Sequence, residues 1–149
     1  MSISEHKTDR WKHLAERKGF SLSEPPEGGA IAEAEAQLGH PLSDELRSLY
    51  AQTDGFVDEW GCSCVMRLTD LVAENKQLRT SEDLRAMYMP FDALLVFGQM
   101  GNGDLLFQPV LPSGVRDEVF RWDHEDDSRE WYARDVRQAL KRACSDEGD

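Results

Sequence analysis

Two apolar runs, Leu94-Leu95-Val96-Phe97 and Asp104-Leu105-Leu106-Phe107-Gln108, stand either side of Gly98-Gln99-Met100-Gly101-Asn102-Gly103. A continuous apolar run is the mark of a strand buried on both faces. Gly101-Asn102-Gly103 is a tight-turn composition that tolerates positive φ. The two runs therefore predict an antiparallel hairpin at the centre of a sheet. A third run, ending in Trp122-Asp123-His124-Glu125-Asp126-Asp127, closes on a loop of acids. Loops that carry acids, one His and one Trp, with almost no base nearby, suit a surface that recognises a partner better than a pocket that does chemistry.

Around this centre the chain alternates helix signals with further strands. Thr8 to Arg17 predicts a short helix with Trp11, Leu14 and Ala15 on one side and Asp9 near its start. Gly19 and the stretch Ser23-Glu24-Pro25-Pro26-Glu27-Gly28-Gly29 then break the chain. Ile31, Ala34 and Leu38 are helix-spaced and Gly39 is a C-terminal stop. Past Pro41, Leu42, Leu46, Leu49 and Tyr50 form a second stripe, capped by Ser43, with Asp44 and Glu45 at the positive end of its dipole and Gly55 after it. These two segments predict an αα-hairpin. Val65-Met66-Arg67-Leu68 predicts a strand, and Thr69 or Asp70 a cap for a third helix carrying Leu71, Val72, Asn75 and Leu78. Thr80 to Arg85 reads as a polar loop or helix extension, and Pro90 resets the chain. Pro112-Ser113-Gly114 marks a hairpin into Val115 to Trp122, and a strand from Glu130 to Ala133 precedes a helix faced by Val136, Ala139, Leu140 and Ala143. Helices, then a mostly antiparallel sheet, then a closing helix make an α+β domain.

The 149 residues are expected to form a single domain, 1–149, with enough length for a core. A hydrophobic fraction of 40% excludes wholesale disorder. The net charge of −12 and pI near 4.7 repel nucleic acid and anionic membranes and favour a basic partner. Cys62-Ser63-Cys64 is one residue short of a CxxC pair, Cys144 stands apart, and no second pair completes a zinc site. No cofactor and no metal is expected. Met1 to Lys18 is polar, without an apolar leader core, and no run reaches membrane-spanning length, so the expected location is a reducing cytoplasm.

No constellation of catalytic residues has a recognisable spacing. The glycines from Gly98 to Gly103 lead into Asp104 and a strand, not into a helix N-terminus, and the Lys of a phosphate loop is missing. Asp123, Glu125 and Asp127 alternate as in a calcium loop, but Ser128 stands where Gly is needed and Arg134 where a bidentate Glu is needed. His124, between acids, is better read as a turn residue than as a general acid. Phe56, Trp60 and Trp131 remain, set among acids. Aromatics beside acids grip Arg and Lys of a protein partner. The candidate partner-binding residues are therefore Asp58, Glu59, Trp60, Asp104, Asp123, His124, Glu125, Asp126 and Asp127.

The order of these pieces resembles a known family. Pro25-Pro26, Ile31 to Leu38-Gly39, Pro41-Leu42-Ser43-Asp44-Glu45-Leu46 through Leu49-Tyr50 and Thr53-Asp54-Gly55 are followed by Leu68 and Asn75. Leu95-Val96-Phe97-Gly98, Gly101-Asn102-Gly103-Asp104 and Val119-Phe120-Arg121-Trp122-Asp123-His124-Glu125 complete the set. Together they resemble the SUKH superfamily, which unites fungal cell-wall assembly and glucan-synthesis regulators with bacterial immunity proteins. The likeness covers about residues 24 to 142 and leaves a helical arm, 1–23, outside. It implies helices packed on an antiparallel sheet and no catalysis. For a compact bacterial chain it implies an immunity protein that binds and neutralises a basic, nuclease-type toxin of a polymorphic toxin system. The alternative it implies is a regulatory interaction module of the cell-wall or glucan-synthesis type.

Overall fold

The computed structural model describes residues 11–17 and 19–145. Residues 11–17 are helical (α1), and Trp11, Leu14 and Ala15 are buried; Asp9 lies outside the described residues. Trp11 meets Phe56 edge-on at 5.9 Å and its indole N–H donates to Ser48 Oγ at 3.0 Å. A buried indole with its polar edge satisfied is a core group. Residues 11–17 of the arm are thus built into the domain.

Helix α2 (Ala30–Leu38) buries Ala34 and Leu38 and ends at Gly39. Helix α3 (Asp44–Tyr50) begins at Ser43, whose Oγ accepts from Leu46 N–H, and buries Leu46, Leu49 and Tyr50. Glu35 ties the two together, accepting from Leu42 N–H and pairing with Arg47 at 2.8 Å. The main packing partner of α2 is a later helix, α4 (Leu68–Thr80), so the expected hairpin of neighbours gives way to a pairing across the chain.

Between them, β1 (Phe56–Val57) and β2 (Ser63–Val65) form a small antiparallel sheet. The strand expected at residues 65–68 lies two residues earlier, because Leu68 already starts α4. Asp54 causes this. Its Oδ1 accepts from Leu68 N–H at 2.8 Å, the role expected of Thr69 or Asp70, and neither caps the helix. The polar stretch after Thr80 forms a further short helix, α5 (Glu82–Met87), capped by Ser81.

The main sheet has β3 (Leu94–Gln99), β4 (Leu105–Leu111), β6 (Val119–Trp122) and β7 (Arg129–Ala133) in that spatial order, all antiparallel. The Leu94–Phe97 run, expected at the centre, forms the terminal strand β3, and its apolar residues are buried because α4 and the β2 segment pack against it. A short β5 (Gly114–Val115) folds back on the far end of β4, so the run expected from Val115 to Trp122 is split. Helix α6 (Val136–Ser145) closes the chain. Its first N–H groups, at Val136 and Arg137, donate to Glu45 of α3 at 2.6 and 3.0 Å, a carboxylate at the positive end of a helix. Leu46, Leu49, Leu71, Leu95, Phe97 and Leu106 share one core with no exposed surface, as their spacing predicts.

Candidate recognition site

Three loops meet at one end of the sheet. Register pairs Gln99 with Leu105 and Leu105 with Trp122, so the β3–β4 turn and the β6–β7 loop lie side by side. The β1–β2 loop joins them, since Cys62 Sγ–H donates to Gln99 O at 3.2 Å. A cavity of about 440 Å³ lies between the β1–β2 loop and the β3–β4 turn, lined by Trp60, Gly61 and Cys62 on one side and by Met100, Gly101, Gly103 and Asp104 on the other.

The β1–β2 loop is shaped by Asp58. Its Oδ1 accepts from the backbone N–H of Trp60 and Cys62 at 2.9 and 2.8 Å, which folds the tip tightly. Glu59 is exposed, and Trp60 leaves 75% of its surface in solvent. In the β3–β4 turn Gly103 has φ 98°, the left-handed conformation expected of at least one of the two turn glycines. A side chain there would also press on the His124 ring at 3.4 Å.

Asp104 was expected to face a partner, and its position is different: it is 3% exposed. Burial alone would raise its pKa. Hydrogen bonds from the His124 ring (2.7 Å) and His124 backbone N–H (3.2 Å), with Arg121 at 3.6 Å, hold it below the usual carboxylate range instead. The same ring hydrogen bond raises the pKa of His124. Asp104 thus positions the loop from beneath, and His124 carries the charge at its surface.

The pair has a pH signature. The raised His124 pKa adds stability that is complete below its unfolded value and lost as pH rises through the folded one. The lowered Asp104 pKa adds stability above its unfolded value that is lost as pH falls through the folded one. Both contributions are present between about pH 4 and 6.5. The gap in melting temperature between wild type and His124→Ala should therefore be wider near pH 5.5 than near pH 8. A pH-independent gap would remove the ion pair from the account.

The acids of the β6–β7 loop divide in the same way. Asp127 sits at φ 63°, accepts from Trp122 Nε1–H, Arg129 and Met89 N–H, and organises the loop. Asp123 and Asp126 accept from the backbone N–H of Glu125 and Ser128, respectively. Glu125 and Asp126 are exposed. With Asp123 accepting within the loop and Asp127 accepting from Trp122, Arg129 and Met89, the short Asp123-x-Glu125-x-Asp127 pattern forms a turn.

Of the aromatics singled out, Phe56 is fully buried against Trp11 and Phe20, so it belongs to the core. Trp131 is half exposed on the edge strand β7. An apolar cleft of about 380 Å³ between α2 and α4, lined by Ala30, Ala34, Leu68 and Val72, has no sequence signal beyond the helix stripes themselves.

Helices packed on an antiparallel sheet meet the expectation set by the SUKH resemblance. The model of the SMI1/KNR4 family (SUKH-1) matches residues 25–142. The chain belongs to that family. No curated protein matches it. All three loops of the site fall within the SMI1/KNR4 match, whereas α1, buried though it is, falls outside it. No helix among the described residues is long and apolar enough to cross a membrane.

Proposed function

We propose that this SUKH-family chain is an immunity protein that binds and blocks a basic, nuclease-type toxin domain of a polymorphic toxin system. It acts by binding, without catalysis, from the cytoplasm. The observation that carries this is Trp60, 75% exposed at a loop tip between Glu59 and a cavity, in a chain of net charge −12. A large aromatic presented at the surface by a shaped loop is suited to anchor in a partner's pocket. Exposed Glu59 next to it in the chain, and exposed Glu125 and Asp126 on the β6–β7 loop, supply rim acids that hasten encounter with a basic surface. Asp104 and Asp127 support the loops from below.

The roles separate in binding kinetics with the toxin domain encoded beside the gene. Trp60→Ala should speed dissociation about 30-fold, near 2 kcal/mol, with little change in association. Glu59→Lys with Glu125→Lys should slow association at low salt and flatten its salt dependence. If folded variants leave both rates unchanged, the interface lies on another face.

A further inference from the structure

One carboxylate oxygen of Asp58 and the Sγ atoms of Cys62 and Cys64 lie within 4.8 Å of one another at the base of the β1–β2 loop. The backbone creates this convergence. Asp58 N–H donates to Cys62 O at 2.9 Å, which sets the two residues opposite each other across the hairpin. Cys64 N–H donates back to Cys62 O at 3.1 Å, a three-residue turn centred on Ser63. In a straight strand, residues two apart share a face but stand about 6.6 Å apart. The turn shortens that span, and both Sγ atoms lie within reach of one centre. The register of β1 and β2 is also irregular beside it, and such irregularities re-aim side chains.

Two thiols and one carboxylate form a donor set for a thiophilic divalent cation. Zinc takes cysteine sulfur at about 2.3 Å and carboxylate oxygen at about 2.0–2.2 Å in a tetrahedral shell, which places two sulfurs about 3.8 Å apart. A set already within 4.8 Å reaches that geometry by closing about 1 Å. Calcium and magnesium, which want six or more oxygens, find one oxygen-bearing side chain in the set. The neighbouring trio Asp104, Asp123 and His124 differs, since it offers one imidazole and two carboxylates and no sulfur for a thiophilic ion.

We propose that Asp58, Cys62 and Cys64 form a three-ligand site for zinc, with the fourth position open toward the cavity beside Trp60. Cys62 lines that cavity, and three protein ligands with one open position leave room for water or for a side chain brought by a partner. On binding, two S–H bonds break, two metal–sulfur bonds form and two protons pass to solvent. Two thiolates and one carboxylate on a divalent ion give the centre one net negative charge. The hydrogen bond from Cys62 to Gln99 O is given up in exchange. The sequence hid this site because its third ligand comes from across the hairpin.

The test uses the reduced full chain carrying Cys144→Ser, titrated with cobalt(II) and then zinc(II). One equivalent of cobalt should give tetrahedral ligand-field bands and sulfur-to-metal charge transfer, both removed by zinc. Cys62→Ser should lower the charge-transfer intensity and weaken affinity at least about tenfold, the loss that even outer partners of a metal produce. Asp58→Asn keeps an acceptor for the loop N–H groups, so it should weaken affinity while retaining the charge transfer. In the unmutated protein zinc should slow alkylation of Cys62 and leave Cys144 unaffected. Absence of charge transfer at one equivalent, the same band in folded Cys62→Ser, or no protection of Cys62 would each overturn the site. The result is independent of toxin binding.

Discussion

Gly98→Ala should destabilise the fold by about 3 kcal/mol or more and lower the melting temperature by about 6 °C or more. A methyl group built at Gly98 falls 1.9 Å from the carbonyl oxygen of Cys64 and 2.9 Å from its carbonyl carbon. The obstacle is backbone, so no change of rotamer can relieve it. Strand β2 is also held against β3, because Met66 N–H donates to Phe97 O at 2.7 Å one residue away. Admitting the methyl means moving β2 bodily, together with the loop that carries Trp60. Gly101 is the control. Nothing lies within 4 Å of a Cβ there and its φ is not positive, so Gly101→Ala should stay within about 0.5 kcal/mol of wild type. Chemical denaturation of both variants checks this. A loss below about 1 kcal/mol at Gly98 would mean that β2 is not fixed there.

Asn75→Ala should lower stability by about 3 kcal/mol, through hydrogen bonds rather than through volume. Asn75 is 1% exposed on the apolar stripe of α4. Its amide N–H groups donate to Leu71 O and Val96 O, both at 2.7 Å, and its Oδ1 accepts from Val96 N–H at 2.8 Å. The side chain thus takes the place of a neighbouring strand at the edge of β3, pairing both polar groups of Val96. Without it, a buried N–H and C=O lose their partners, at about 1–3 kcal/mol each. Asn75→Leu fills the same space and should fail to restore stability. Full stability in Asn75→Leu would show that packing alone holds α4 to the sheet.

Asn75 also shows what the sequence tells and what it hides. Helical spacing placed it on the buried face beside Leu71 and Leu78, but nothing local indicates that an amide there completes a strand 21 residues later. Asp54 is similar: it looks like a turn residue, yet it caps α4 across 14 residues and moves the start of that helix to Leu68. Strands, turn glycines and helix stripes were legible because period and turn chemistry are local. The exposure of the candidate residues was legible in part for the same reason. Glu59, Trp60 and Glu125 lie at loop tips, as turn composition predicts, and are exposed. Asp104 and Asp127 carry the same charge in the same loops but point inward, because His124 in one case and Trp122 with Arg129 in the other offer them partners. Charge alone does not distinguish a rim acid from a supporting one. Phe56 was misplaced because its partner Trp11 comes from a segment that local pattern could not attach to the core.

The immunity reading is tested most directly by affinity capture of the tagged protein and its Trp60→Ala variant from the native cell, compared by quantitative mass spectrometry. The account predicts that wild type retains a basic toxin domain, the C-terminal part of a large secreted protein encoded nearby. It predicts that folded Trp60→Ala retains at least about tenfold less of it, as loss of a hot spot requires. Equal capture by both forms, or capture of cell-wall synthesis proteins in place of a toxin, would contradict it.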